Sequence, residues 1–189
     1  MAKLAILFPG IGYTCDKPIL YYGRDLAEQA DYECKLVPYV YDGDKKIRGN
    51  REKMQVAFQA LYVQAEEYLA SIDYGQYDEV LFMSKSVGTV IAAAYAKELM
   101  KQGNNVKIRH VLYTPLEYTF AYQPQNAIGF LGTADPWCVP SEVLRLAEEQ
   151  HVPMFVYERA NHSLETEDIL SNLDVLRDVM KKTKDFLDE

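Results

Sequence analysis

The sequence predicts an α/β fold: a mostly parallel six-stranded sheet with helices on both faces. Two observations carry that prediction. Six short apolar runs alternate with amphipathic runs along the whole chain, and strands separated by helices pair in parallel and are covered on both sides. The 189 residues, 49% hydrophobic and 25% charged, suit a single domain, residues 1–189, with one substantial core.

The first strand covers residues 3–8 (KLAILF), followed by a Gly10-Ile11-Gly12 turn and a helical pattern over 18–30. A second strand covers 34–40. Residues 41–50 (YDGDKKIRGN) are the most loop-like segment and lead into a helix over 50–72. The run 79–83 (EVLFM) reads as a buried strand, and 86–102, with its apolar, alanine-rich face, as the helix after it. A fourth strand covers 107–113. Residues 114–125 contain two prolines and read mostly as loop. Strands at 127–131 and 154–157 flank a helix over 141–150, and a helix over 165–187 closes the chain. The crossovers should be right-handed.

In such a sheet ligands gather beyond the carboxyl ends of the strands, so a reactive residue should follow a strand. Ser86 does. It stands in Phe82-Met83-Ser84-Lys85-Ser86-Val87-Gly88-Thr89, where the third strand stops and a small-residue helix begins. A serine in that sharp turn has its hydroxyl clear of the sheet, and the next N–H and the helix N-terminus stabilise negative charge beside it. The setting makes a serine a nucleophile.

Three histidines allow a base to be sought by elimination. His110 lies inside a strand and His151 just before one, whereas His162 follows the last strand, in the loop before the final helix. Asp135, in Gly132-Thr133-Ala134-Asp135-Pro136-Trp137 after the fifth strand, is the candidate carboxylate to orient the imidazole. Its bland reading is a turn residue or cap before proline. Glu117, after the fourth strand, is the rival acid. The order Ser86, Asp135, His162 is the one a nucleophile elbow calls for. A partner carboxylate favours the protonated imidazole, so the base is expected to ionise around neutral pH.

With this element order, Ser86, Asp135 and His162 resemble the α/β-hydrolase superfamily. The resemblance runs from Lys3 to the last helix and is to the small, capless members of the esterase and dienelactone-hydrolase-like kind. It implies a minimal α/β-hydrolase fold and a serine hydrolase that cleaves an ester, thioester or similar acyl bond through an acyl-enzyme, with no cofactor and no metal. It sets Phe8-Pro9-Gly10-Ile11-Gly12 where that family carries its oxyanion loop, usually His-Gly-x-x. The backbone N–H groups of Ile11 and Val87 are then the implied oxyanion donors. Two departures stand out: Phe8-Pro9 replaces the usual opening, and the nucleophile motif reads Ser-x-Ser-x-Gly, with Ser84 in place of its first glycine. The alternative on the same fold is a non-catalytic interaction module.

Other signals exclude more than they assign. A net charge of −8, from 20 basic and 28 acidic residues, argues against generic nucleic-acid binding. Gly10-Ile11-Gly12 fails as a dinucleotide fingerprint because the third glycine falls at Cys15. Lys85-Ser86 fails as the end of a P-loop because the upstream glycine falls at Glu79. No histidine pair or close cysteine pair suggests a metal. Cys15, Cys34 and Cys138, odd in number and without framework spacing, point to a reducing compartment. With no apolar run of membrane-spanning length and no signal-peptide features, the expectation is a cytoplasmic protein with a small-molecule acyl substrate and no nucleic-acid or membrane partner. A homo-oligomer is left open. The basic run Lys45, Lys46, Arg48, Arg51 and Lys53 reads as solvated surface or as an attractor of an anionic substrate or partner. Tyr13, Tyr21 and Tyr22, near the first loop, and Tyr113, Tyr118 and Tyr122, near another strand's end, suit a pocket rim or half-buried packing.

Overall fold

A computed structural model describes residues 2–44, 46–103 and 106–189. The elements are β1 (Lys3–Phe8), α1 (Pro18–Gln29), β2 (Tyr32–Leu36), α2 (Arg51–Leu69), β3 (Glu79–Lys85), α3 (Val87–Lys101), β4 (Lys107–Tyr113), β5 (Ala127–Gly132), α4 (Pro140–Glu149), β6 (Met154–Tyr157) and α5 (Ile169–Leu187). The six strands form one all-parallel sheet in the order β2-β1-β3-β4-β5-β6.

Successive side chains of a strand point to opposite faces, and β1 shows what this does to a continuous apolar run. Leu4, Ile6 and Phe8 face Leu61, Ala65 and Leu69 of α2 and Ile91 and Ala92 of α3. Ala5 and Leu7 face Ile19, Leu20 and Ala27 of α1 and Val179 and Phe186 of α5. Both faces are dry, so neither can alternate with polar residues. The amphipathic α4 sets Val143 and Ala147 against Leu112 and Leu131.

Several boundaries differ from the sequence reading, the end of β2 and the start of α5 by four residues each. β2 spans Tyr32–Leu36 instead of 34–40. Val37 N–H still donates to Leu7 O at 3.0 Å, but Pro38 has no N–H to continue a ladder. α5 begins at Ile169, four residues later than expected, because Asp168 caps it by accepting from Ser171 N at 2.8 Å. Residues 114–125 contain a short 3-10 helix, Glu117–Tyr122. No helix of the described residues is long and apolar enough to cross a membrane.

Candidate active site

The β3–α3 turn sets Ser86 at φ 59°, ψ −127°, a region that non-glycine residues enter only under constraint. The constraint is visible on both sides. Ser86 N–H donates to Tyr113 O at 3.1 Å, and Ser86 O accepts from Thr89 N at 2.9 Å and from Thr89 Oγ1 at 2.7 Å. A Cβ on Gly88 would overlap the Phe8 carbonyl and stand 2.7 Å from Pro9 O, so α3 can begin this close to β1 only with glycine there. Ser84 is fully buried and its hydroxyl donates to Val111 O at 3.3 Å. A serine is accommodated in place of the motif's first glycine because its neighbour strand satisfies the hydroxyl.

The structure brings Ser86, His162 and Asp135 together. His162 Nε2 lies 2.7 Å from Ser86 Oγ, and His162 Nδ1 lies 2.7 Å from Asp135 Oδ2. A carboxylate only accepts, so Nδ1 carries the proton it donates to Asp135. The neutral ring then presents the Nε2 lone pair to the serine hydroxyl. Asp135, with its side chain wholly buried, accepts from Trp137 N at 2.9 Å through its other oxygen. The rival Glu117 instead accepts from Val139 N at 2.5 Å. His110 is buried inside β4 against Phe82, ring centroids 5.4 Å apart. His151 is exposed in the turn before β6.

The loop holding His162 is built by Asn161, whose Oδ1 accepts from Ser163 N at 2.7 Å and Glu165 N at 3.2 Å. It is laced to the acid loop: Ala134 N donates to Ala160 O at 3.0 Å and Thr133 N to Tyr157 O at 3.0 Å. Burial holds the imidazole pKa below its ordinary 6.5; the Asp135 hydrogen bond opposes this, and the Lys85 cation assists it. The ionisation expected around neutral pH therefore moves down, since the sequence showed the carboxylate but not the burial. Burial also pushes the Cys15 thiol up to about 11 and raises that of Cys138, which makes neither a ready nucleophile.

Gly10 and Tyr13 exchange backbone hydrogen bonds of 3.0 and 3.3 Å, which leaves Ile11 and Gly12 at the tip of a tight turn. A Cβ on Gly10 would stand 3.1 Å from that of Ser86. Val87, as the first residue of α3, has an N–H without an intrahelical acceptor. Ile11, Ser86, Val87 and His162 all line a cavity of about 360 Å³. Its wall from α2 is the helical face Arg51, Met54, Gln55 and Phe58, and its other side carries Tyr118, Tyr122 and Trp137. The sequence pointed to Tyr118 and Tyr122 but not to Met54, Phe58 or Trp137; the three-four spacing along α2 was the available signal. Tyr13 also lines the cavity, Tyr113 is fully buried and bonded to Thr183 at 3.1 Å, and Tyr21 and Tyr22 are exposed elsewhere. Of the basic run, Arg51 reaches the cavity, Lys53 pairs with Asp44 at 2.5 Å, and Lys45 lies outside the described residues.

No protein-family model matches the chain, and no curated protein sequence does. Solved structures do match. A candidate α/β hydrolase of unknown function from Agrobacterium tumefaciens superposes with a TM-score of 0.67 at 17% identity, over 99% of this chain and 84% of that one. A Pyrococcus furiosus esterase gives 0.63 at 11% identity, over 98% and 82%. A Xanthomonas campestris α/β serine hydrolase without a lid gives 0.59 at 10% identity, over 98% and 80%. Along its whole length the chain is similar in structure to small α/β serine hydrolases, lidless ones among them, and its six-stranded parallel sheet has the α/β-hydrolase fold.

Proposed function

We propose that the protein is a serine hydrolase that cleaves an ester, thioester or similar acyl bond by a Ser86-His162-Asp135 triad. The observation that carries this reading is the pair of 2.7 Å contacts joining the three side chains, with Ser86 and His162 lining a cavity and Asp135 buried behind the imidazole. Ser86 Oγ attacks the acyl carbonyl carbon while His162 Nε2 takes its proton. Asp135 holds the ring in the accepting tautomer and stabilises its charged form. The carbonyl oxygen, now negative, sits between the N–H groups of Ile11 and Val87. Loss of one such donor costs about 2.7–4 kcal/mol of transition-state stabilisation. When the intermediate collapses, the leaving alcohol or thiol takes the proton from His162. Water then attacks the acyl-enzyme with His162 as base again, releasing the acid and restoring Ser86.

The cavity's apolar walls of Met54, Phe58, Tyr118, Tyr122 and Trp137 suit the body of a small acyl or aryl substrate. The esterase from P. furiosus and the lidless hydrolase from X. campestris support the same reading by their fold. Incubation with a fluorophosphonate probe, followed by mass spectrometry of the peptide containing Ser86, tests it. Wild type should label at Ser86, and Ser86→Ala should not while keeping its fold. A folded wild type that never labels and hydrolyses none of a series of short- to medium-chain esters would leave the interaction-module alternative.

A further inference from the structure

Lys85 is a buried ionisable group beside the nucleophile that this acyl-transfer scheme does not use. It ends β3, directly before Ser86, and is fully buried. Among the described residues no carboxylate forms an ion pair with it. Its three ammonium protons nevertheless have three takers: Thr114 Oγ1 at 2.6 Å, the His162 carbonyl oxygen at 2.6 Å, and the ring face of Tyr13, whose centroid is 4.9 Å away. These come from the end of β4, the histidine loop and the turn after β1. One side chain thus ties together the backbone regions that carry Ser86, His162 and the Gly10–Tyr13 turn.

A buried cation without a counter-ion is costly, and an apolar side chain of similar volume would serve stability at least as well. The position therefore asks for a function. Charged and titratable groups face it from every element packed around it. Asp135 and Cys138 do so from the loops after β5, Glu165 and the His162 ring from the histidine loop, and Tyr13 from the first turn. Asp135 and Glu165 favour the ammonium form, but burial outweighs them and pushes the lysine down to about 7. It is cationic below that value, which is the range where His162 would otherwise take a proton.

We propose that Lys85 is a positioning residue for His162: its hydrogen bond to the His162 carbonyl holds the imidazole between Ser86 and Asp135, and its charge keeps that imidazole in the neutral, proton-accepting form. The purpose of the tie rests on the triad reading; the tie itself does not. Two effects follow from one ammonium group. The hydrogen bond fixes the backbone of the loop, and the charge offsets the pull of the Asp135 carboxylate towards imidazolium.

The test is the titration of His162 by proton NMR in wild type, Lys85→Met and Lys85→Gln. Methionine keeps the unbranched apolar stem but removes charge and donors; glutamine keeps a donor without the charge. In both variants the His162 pKa should rise by about half a unit or more. In steady-state assays near pH 6, Lys85→Met should lose about tenfold or more in kcat with little change in KM, and Lys85→Gln should recover part of it. An unchanged His162 titration in either folded variant overturns the proposal, and Lys85→Gln decides between the outcomes where Lys85→Met does not fold. The titration needs no activity. A shifted His162 in a protein that never reacts with the fluorophosphonate keeps the tie and removes the hydrolase reading. An unshifted His162 in a protein that labels at Ser86 does the reverse.

Discussion

Gly132 and Ala160 are in backbone contact: a Cβ on Gly132 would overlap the Ala160 carbonyl and stand 2.8 Å from Asn161 O. Gly132 ends β5, three residues before Asp135, and Ala160 lies two residues before His162. The spacing between the acid and the imidazole is thus set by main chain against main chain.

Gly132→Ala should force the two loops apart. Overpacking a tight site costs about 1–3 kcal/mol, so the variant should fold with a lowered urea midpoint. Its kcat on any verified ester should fall by about tenfold or more, since misplacing a reacting group by about 1 Å costs that much or more. A variant that keeps wild-type turnover would show that the contact does not position the site.

Asp135→Asn should preserve the fold and cut kcat by about three to four orders of magnitude. An amide can donate to Nδ1 and so favours the tautomer with its proton on Nε2, which cannot accept from Ser86. Glu117→Gln should leave turnover close to wild type, because Glu117 bonds to Val139 N instead. The reverse ranking in matched kinetics would move the acid to the earlier strand.

How much was legible in the sequence follows from the range of each contact. The Ser86 turn could be read because strand, turn and helix are contiguous, and a run of apolar residues meeting an alanine-rich one marks the junction. Strand-end position narrowed the acid to Asp135 or Glu117 without geometry to decide between them, since both follow a strand. The hydrogen-bond partners of Lys85 are not legible: they lie 29 and 77 residues away, and the pair Lys85-Ser86 reads only as a failed P-loop. The sequence does not mark the end of β2, because apolarity continues past Pro38 while ladder hydrogen bonding does not. Nor does it mark the start of α5, because Glu165 fits the helical pattern although its backbone N–H is donated to Asn161 Oδ1.

Arg51 turns the composition of the cavity into a prediction of substrate preference. Among the described residues it forms no ion pair and no carboxylate lines the cavity. It also stands in the first turn of α2, where the helix dipole disfavours a cation. Wild type should prefer nitrophenyl esters of a dicarboxylic acid over those of the monocarboxylic acid of equal length, and added salt should weaken the preference. Arg51→Gln should lose about tenfold in kcat/KM on the anionic ester and little on the neutral one. Equal losses on both, or no preference in wild type, would place Arg51 with the solvated surface charges.

Two histidines should leave separate marks on the pH dependence. As the proposed base, His162 must be neutral to accept the serine proton, and burial holds its pKa below 6.5. Activity on a non-ionising ester should therefore be lost through a single step as pH falls, with a midpoint below 6.5, and Lys85→Met should move that midpoint up. His110 affects stability instead. Burial pushes its pKa down to about 4 in the folded state, against about 6.5 in the unfolded chain. Above 6.5 both states hold it neutral, so it adds no pH dependence. Between 6.5 and 4 the unfolded chain binds the proton and the folded one does not, so stability falls as pH falls, by about 1.4 kcal/mol for each pH unit. Urea unfolding at pH 7 and pH 5 should show this loss, and His110→Leu should reduce it while leaving the activity midpoint in place. If His110→Leu moves the activity midpoint instead, the base is not His162 alone.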